Sequence, residues 1–140
     1  MTNEDRVAAY VQTFETLQLD SVKNLREHVS DDVHFRDPFN NTYGAEKYLA
    51  IWRHTFEIMQ EPNFSITRWS MAGKTAYIHW HFAFKYNGKP MAFEGLTEVE
   101  LNDEGYICMH VDHYDAASQL HAKIPVVGIL MRWLGNKFAT

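Results

Sequence analysis

Asp37 closes the run Asp-Asp-Val-His-Phe-Arg-Asp-Pro-Phe (31–39), and its spacing from Val33 and Phe35 sets the first chemical expectation. Strand side chains repeat every two residues, so if Val33 and Phe35 enter a core, Asp37 points there too. Pro38 lacks an N–H and restrains the residue before it to extended backbone, which fixes the direction of the carboxylate and leaves Phe39 to cap an apolar surround. An ionised carboxylate facing a core is costly unless paired. Neutral, or paired with a ligand proton, it suits a base that removes a proton from a carbon acid. A second reading stays open, because Asp next to proline commonly accepts backbone N–H groups in an Asx turn.

The elements that must position this residue follow from periodicity. Val7, Tyr10, Val11, Phe14 and Leu17 recur at steps of three and four after Asn3, which predicts an amphipathic helix. A shorter helix capped by Asp20 or Ser21 carries Val22, Leu25 and Val29 inward. A third, from about Gly44 to Met59, has Tyr48, Ile51, Trp52, Thr55, Phe56 and Met59 on one side, and Pro62 is expected to end it. The period then changes to two. Phe64 and Ile66 begin a strand, Thr75 to Tyr86 alternates most clearly, and Asn87-Gly88 predicts an antiparallel hairpin into Pro90 to Leu101. The second hairpin strand should turn Met91, Phe93, Gly95, Thr97, Val99 and Leu101 inward. Asp103-Glu104-Gly105 turns into Tyr106 to Asp115, and Ala116 to Phe138 reads as a closing helix bent at Pro125 and Gly128.

Composition bounds the function. A chain of 140 residues, 46% apolar and 14% aromatic, supports one domain over 1–140 with a thick core or a ring-lined cavity. Eighteen acidic against 13 basic residues give a formal charge of −5, and no basic stripe offsets it, so nucleic acid is not an expected partner. Cys108 is the only cysteine, which is compatible with a reducing cytoplasm, the expected location; the acidic, polar start carries no export signal. The longest apolar run, Ile124 to Leu134, is too short for a membrane span and contains Arg132. It is apolar around its circumference, and it is expected to lie over the pocket mouth as a lid.

The order of elements, with Phe-Arg-Asp-Pro-Phe closing the first strand, Tyr-Gly-Ala opening the third helix and an aromatic meander following, resembles the nuclear transport factor 2-like superfamily, in its SnoaL-like and ketosteroid isomerase-related branch. The resemblance implies an α+β fold, the cystatin-like α+β barrel: a cone-shaped curved antiparallel sheet wrapped around N-terminal helices, with an apolar pocket at the open end and a homodimer as the usual assembly. It assigns Asp37 the place of the general base. Phe14 and Thr97 fall where ketosteroid isomerases carry the two strong donors of their oxyanion hole, which puts that chemistry in doubt; Tyr10, one turn before Phe14, could offer a substitute hydroxyl. On the last strand His110, Asp112 and Tyr114 alternate on the pocket face, with Cys108 above them. The resemblance makes Asp112, or His110, the proton partner of Asp37, and two carboxylates in one apolar site push their pKa values apart.

Under that architecture Trp52, Trp80, Phe82 and Phe93 line the pocket together with Tyr10, Phe14, Phe39, Thr97 and Tyr114; from composition alone the same rings could be core. His79 and His81 have a metal-binding spacing, but they stand opposite the aromatic face with no third ligand fixed in sequence, so no metal is expected and His–Glu pairing on an outer, dimer-forming face is preferred. No Gly-rich phosphate loop or nucleophile motif occurs, and no cofactor is expected. Two functions remain: cofactor-independent isomerisation, cyclisation or dehydration of a small hydrophobic molecule, or non-catalytic binding of one.

Overall fold

The structure, a computed structural model, describes residues 1–115. Helix α1 (Asn3–Glu15) starts one residue earlier than the sequence suggests, because Thr2 is the cap: its hydroxyl accepts the Asp5 N–H at 3.1 Å while the Asp5 carboxylate accepts the Thr2 N–H at 3.0 Å. A 3₁₀ helix (Leu19–His28) buries Val22 and Leu25 and leads into strand β1 (Val29–Arg36). After the Asp37 turn come β2 (Asn41–Tyr43) and helix α2 (Ala45–Ile58), followed by β3 (Gln60–Ala72), β4 (Thr75–Tyr86), β5 (Lys89–Leu101) and β6 (Ile107–His113).

The strands form one curved, open sheet in the order β2-β1-β6-β5-β4-β3. Every pairing is antiparallel except one: β1 runs parallel to β6, with Phe35 opposite His110. This corrects the expectation of a purely antiparallel sheet. A parallel pair needs a crossover longer than about a dozen residues, and the whole of α2 and the β3–β5 meander supplies it. The sheet does not close on itself; β2 and β3 are its edges.

Pro62 does not end α2, as expected: the helix stops at Ile58 and Pro62 lies inside β3. It is tolerated because β3 is an edge strand and its register shifts between Gln60 and Asn63, next to Glu61 at φ +50°. The Asn87-Gly88 turn has both residues at positive φ, 51° and 77°, as a two-residue hairpin matched to strand twist requires.

The core lies between the concave face of the sheet and the helices. Val7, Tyr10, Val11 and Phe14 of α1 and Tyr48, Ile51, Trp52 and Phe56 of α2 pack with Ile78, Trp80, Phe82 and Phe84 of β4 and with Phe93 and Val99 of β5. On the opposite face His79 stands across from Leu96, His81 across from Glu94, and His113 Nε2 lies 3.7 Å from Glu98. No described helix is long and apolar enough to cross a membrane. The expected closing helix and its lid over the pocket lie outside the described residues.

Candidate active site

Asp37 forms the Asx turn, and its carboxylate still lines a cavity. Its Oδ1 accepts the backbone N–H of Phe39 at 2.8 Å and of Asn40 at 2.7 Å, and the Asn40 side-chain amide at 3.1 Å, which is the Asx turn. The Asp37 N–H closes the loop onto the Asn40 carbonyl at 3.0 Å. Among the described residues Oδ2 has a single long contact, 3.3 Å to Asn40 Nδ2, so one oxygen is anchored and the other is nearly unengaged by them. The residue is half-buried and lines a cavity with Phe35, Trp80, Phe93, Asp112 and Tyr114. Burial, and then the charge of Asp112, raise its carboxyl from 3.8 to about 6 against the opposing pull of the three hydrogen bonds.

Asp112 reaches the same cavity from β6, and a β-bulge aims it there. Leu101 pairs with Ile107 but Glu100 pairs with Met109, so Cys108 is an extra residue on β6. The bulge reverses the alternation: Ile107 and His110 are both buried, and Thr97 of β5 comes to lie directly across from Asp112. Cys108 is therefore not stacked above His110 on the pocket face, and its thiol turns to the Glu100 carbonyl at 3.4 Å. Thr97 Oγ1 donates to Asp112 Oδ1 at 2.5 Å and accepts the Trp80 indole N–H at 2.8 Å. His110 Nε2 lies 2.9 Å from the same Oδ1, and its Nδ1 lies 2.8 Å from the Tyr10 hydroxyl, which also bonds the Tyr48 hydroxyl. Asp112 Oδ2 has no hydrogen bond among the described residues.

Two adjoining cavities share Trp52, Phe64, Trp80 and Asp112 as walls. The inner one carries Tyr10, Phe14, Thr97 and His110; the outer carries Asp37, Phe82, Phe93 and Tyr114. The inner cavity has a volume of about 20 Å³ and the outer about 50 Å³. One water needs about 10–15 Å³, so a ligand much larger than a few waters requires side chains of the walls to move. Of the expected lining residues only Phe39 lies on neither wall; it packs beside Tyr114, ring centroids 6.3 Å apart.

Sequence reading missed Phe64, which it took only as the start of a strand, and Tyr48, which it took as part of the apolar stripe of α2. A hydroxyl at the centre of that stripe was the available signal, since a buried phenol requires a partner. Trp52 Nε1 is buried close to the Tyr48 hydroxyl and has no hydrogen-bond partner among the described residues.

Residues 7–110 match the SnoaL-like domain, which leaves Asp112 just beyond the matched span. Among solved structures, a Catenulispora acidiphila protein with a ketosteroid isomerase-like fold, in complex with trimethylamine, superposes with a TM-score of 0.70 at 19% identity, covering 86% of this chain and 92% of its own. An LEH-like epoxide hydrolase of M. tuberculosis gives 0.71 at 15% identity over 91% and 93% of the two chains. A Shewanella putrefaciens protein assigned as a SnoaL-like polyketide cyclase gives 0.69 at 16% identity over 90% and 88%. At these identities the likeness is one of fold. No curated protein matches the chain.

Proposed function

The chain belongs to the SnoaL-like domain family, and on that footing we propose that it is a cofactor-independent acid/base enzyme acting on a small hydrophobic molecule that bears a carbonyl group, with Asp37 as the general base. The observation that carries this reading is the placement of Asp37 on the wall of a ring-lined cavity, facing Asp112, with its carboxyl raised to about 6 and one oxygen nearly unengaged. A base with such a pKa is mostly ionised near neutral pH yet holds a proton well enough to take one from carbon. Asp37 Oδ2 removes a proton from the carbon next to the carbonyl, the C–H electron pair passes into the carbonyl as an enolate, and the proton returns at a new carbon or assists loss of a hydroxyl. Asp112 or His110 serves as the proton partner. Isomerisation, cyclisation and dehydration all share that first step.

Trp80, Phe64, Phe93 and Tyr114 supply apolar contact and exclude water, which strengthens every charge effect inside. The Asx turn is compatible with this role, since it engages Oδ1 and holds the carboxylate in place.

The outer sheet face, with Leu96 half-buried among His79, His81, Glu94 and Glu98, is proposed as the contact of a homodimer, and the cytoplasm as its setting. The reaction is tested by incubating the protein with a panel of cyclic ketones in deuterated water and following deuterium uptake at carbon by NMR. Uptake accelerated by the wild type and lost in Asp37→Asn supports the enzyme. Equal uptake with both proteins, alongside retained binding, leaves a binding protein.

A further inference from the structure

The inner wall carries a chain of polar groups deeper in the core than the proposed base. Tyr10 and Tyr48 are fully buried and His110 is 2% exposed, yet they form one continuous path, Tyr48 to Tyr10 to His110 to Asp112. Counting protons along it leaves one direction. Thr97 accepts the Trp80 N–H, so its own O–H goes to Asp112 Oδ1. The same Oδ1 also accepts from His110, which places a proton on Nε2. In the neutral ring Nδ1 is then an acceptor; it takes the Tyr10 proton, and the Tyr10 oxygen takes that of Tyr48. Every hydroxyl proton has an acceptor in this arrangement.

A doubly protonated ring would reverse both hydroxyls and leave the Tyr48 O–H without an acceptor among the described residues, a cost that burial makes high. Nor can the tyrosines hand their protons over: burial holds both hydroxyls well above the ordinary phenol range. Among the described residues, the groups facing the ring from the other elements are Tyr10 and Phe14 of α1, Phe35 of β1, and Tyr48 and Trp52 of α2, and the carboxylate bonded to it is Asp112, on its own strand.

We propose that Tyr10, with its proton directed by Tyr48, is a positioning residue that fixes His110 as the neutral Nε2–H tautomer, so that the imidazole is a standing donor to Asp112 and not a proton carrier. Both ring nitrogens are then engaged. Of the two candidate partners for Asp37, it is Asp112, through Oδ2, which has no hydrogen bond among the described residues, that meets the ligand; this consequence rests on the reading of the site as an acid/base centre, whereas the tautomer does not.

The experiment is a long-range ¹H–¹⁵N correlation spectrum of protein labelled at histidine, with the His110 signals assigned from their loss in His110→Gln. Near neutral pH the wild type is expected to show a single neutral pattern protonated at Nε2. Tyr10→Phe, which takes the donor from Nδ1, is expected to lose that single pattern and to show a mixture of ring forms. A wild-type ring protonated at Nδ1, or at both nitrogens, overturns the proposal even if Tyr10→Phe fails to fold; an unchanged tautomer in a folded Tyr10→Phe overturns it as well. The spectrum needs no ligand, so its failure is separate from a failure of deuterium uptake to depend on Asp37.

Discussion

Gly95 faces Trp80 across the β4–β5 pair, and a methyl group at Gly95 would stand 2.5 Å from Cζ2 of the indole and 2.8 Å from the carbonyl oxygen of His113. The indole lies across the glycine, and from there its N–H reaches Thr97, which in turn donates to Asp112. The missing side chain thus determines where a carboxylate on another strand is held. Gly95→Ala is expected to push the indole off Thr97 and to destabilise the fold by about 1–3 kcal/mol, the usual range for overpacking. Urea unfolding, together with a change in tryptophan fluorescence of the native state, checks it.

Thr97 joins two buried groups, and its loss leaves both short of a partner. Thr97→Val should orphan the Trp80 N–H and remove one donor from Asp112, at a cost of roughly 1–3 kcal/mol, while Thr97→Ser should recover most of it. Thermal or urea unfolding of the two variants side by side decides the point. A loss in Thr97→Ser with none in Thr97→Val would mean that the methyl group of Thr97, and not its hydroxyl, is what matters.

The raised carboxyl of Asp37 has a stability consequence of definite sign. Its folded value, about 6, lies above the ordinary 3.8, so the folded state binds the proton more tightly. Stability contributed by this group is fully present below about pH 4 and is lost as pH rises through about 6, by an amount on the order of 3 kcal/mol. Asp37→Asn keeps an oxygen for the N–H groups of Phe39 and Asn40 but carries no charge. It should therefore be more stable than the wild type near neutral pH and no more stable near about pH 4. Unfolding curves at the two pH values test this.

If the outer sheet face forms a homodimer, Leu96→Asp should convert the protein to a monomer without disturbing its circular dichroism, because the side chain lies on the face away from the core. Light scattering at micromolar concentration reads the result. A wild type that is already monomeric under those conditions contradicts the dimer.

The parts of the fold that were legible in sequence are those with local causes. β4 was read at its exact limits, because ten consecutive residues alternate and Asn87-Gly88 fixes the turn beyond it. Asp37 could be placed on a pocket wall because it follows Val33 and Phe35 at intervals of two. What was not legible depends on partners distant in sequence. Nothing in Ile-Cys-Met-His announces the bulge at Cys108, which shows only in the pairing of β6 with β5. Tyr48 falls on the apolar stripe of α2, and only the arrival of Tyr10 from α1 shows that its hydroxyl is used. Pro62 reads as a breaker until β3 proves to be an edge strand.

The central claim, that Asp37 is the base, is tested most directly by the pH dependence of deuterium uptake into a cyclic ketone that the wild type is found to turn over. The rate should rise with pH through about 6, where Asp37 loses its proton, and level off above it. In Asp37→Asn it should fall by roughly a hundred-fold or more, the scale of a positioned general base, while binding of the same ketone persists. A wild-type rate flat across that range, or an Asp37→Asn variant that exchanges as fast as the wild type, would contradict the account.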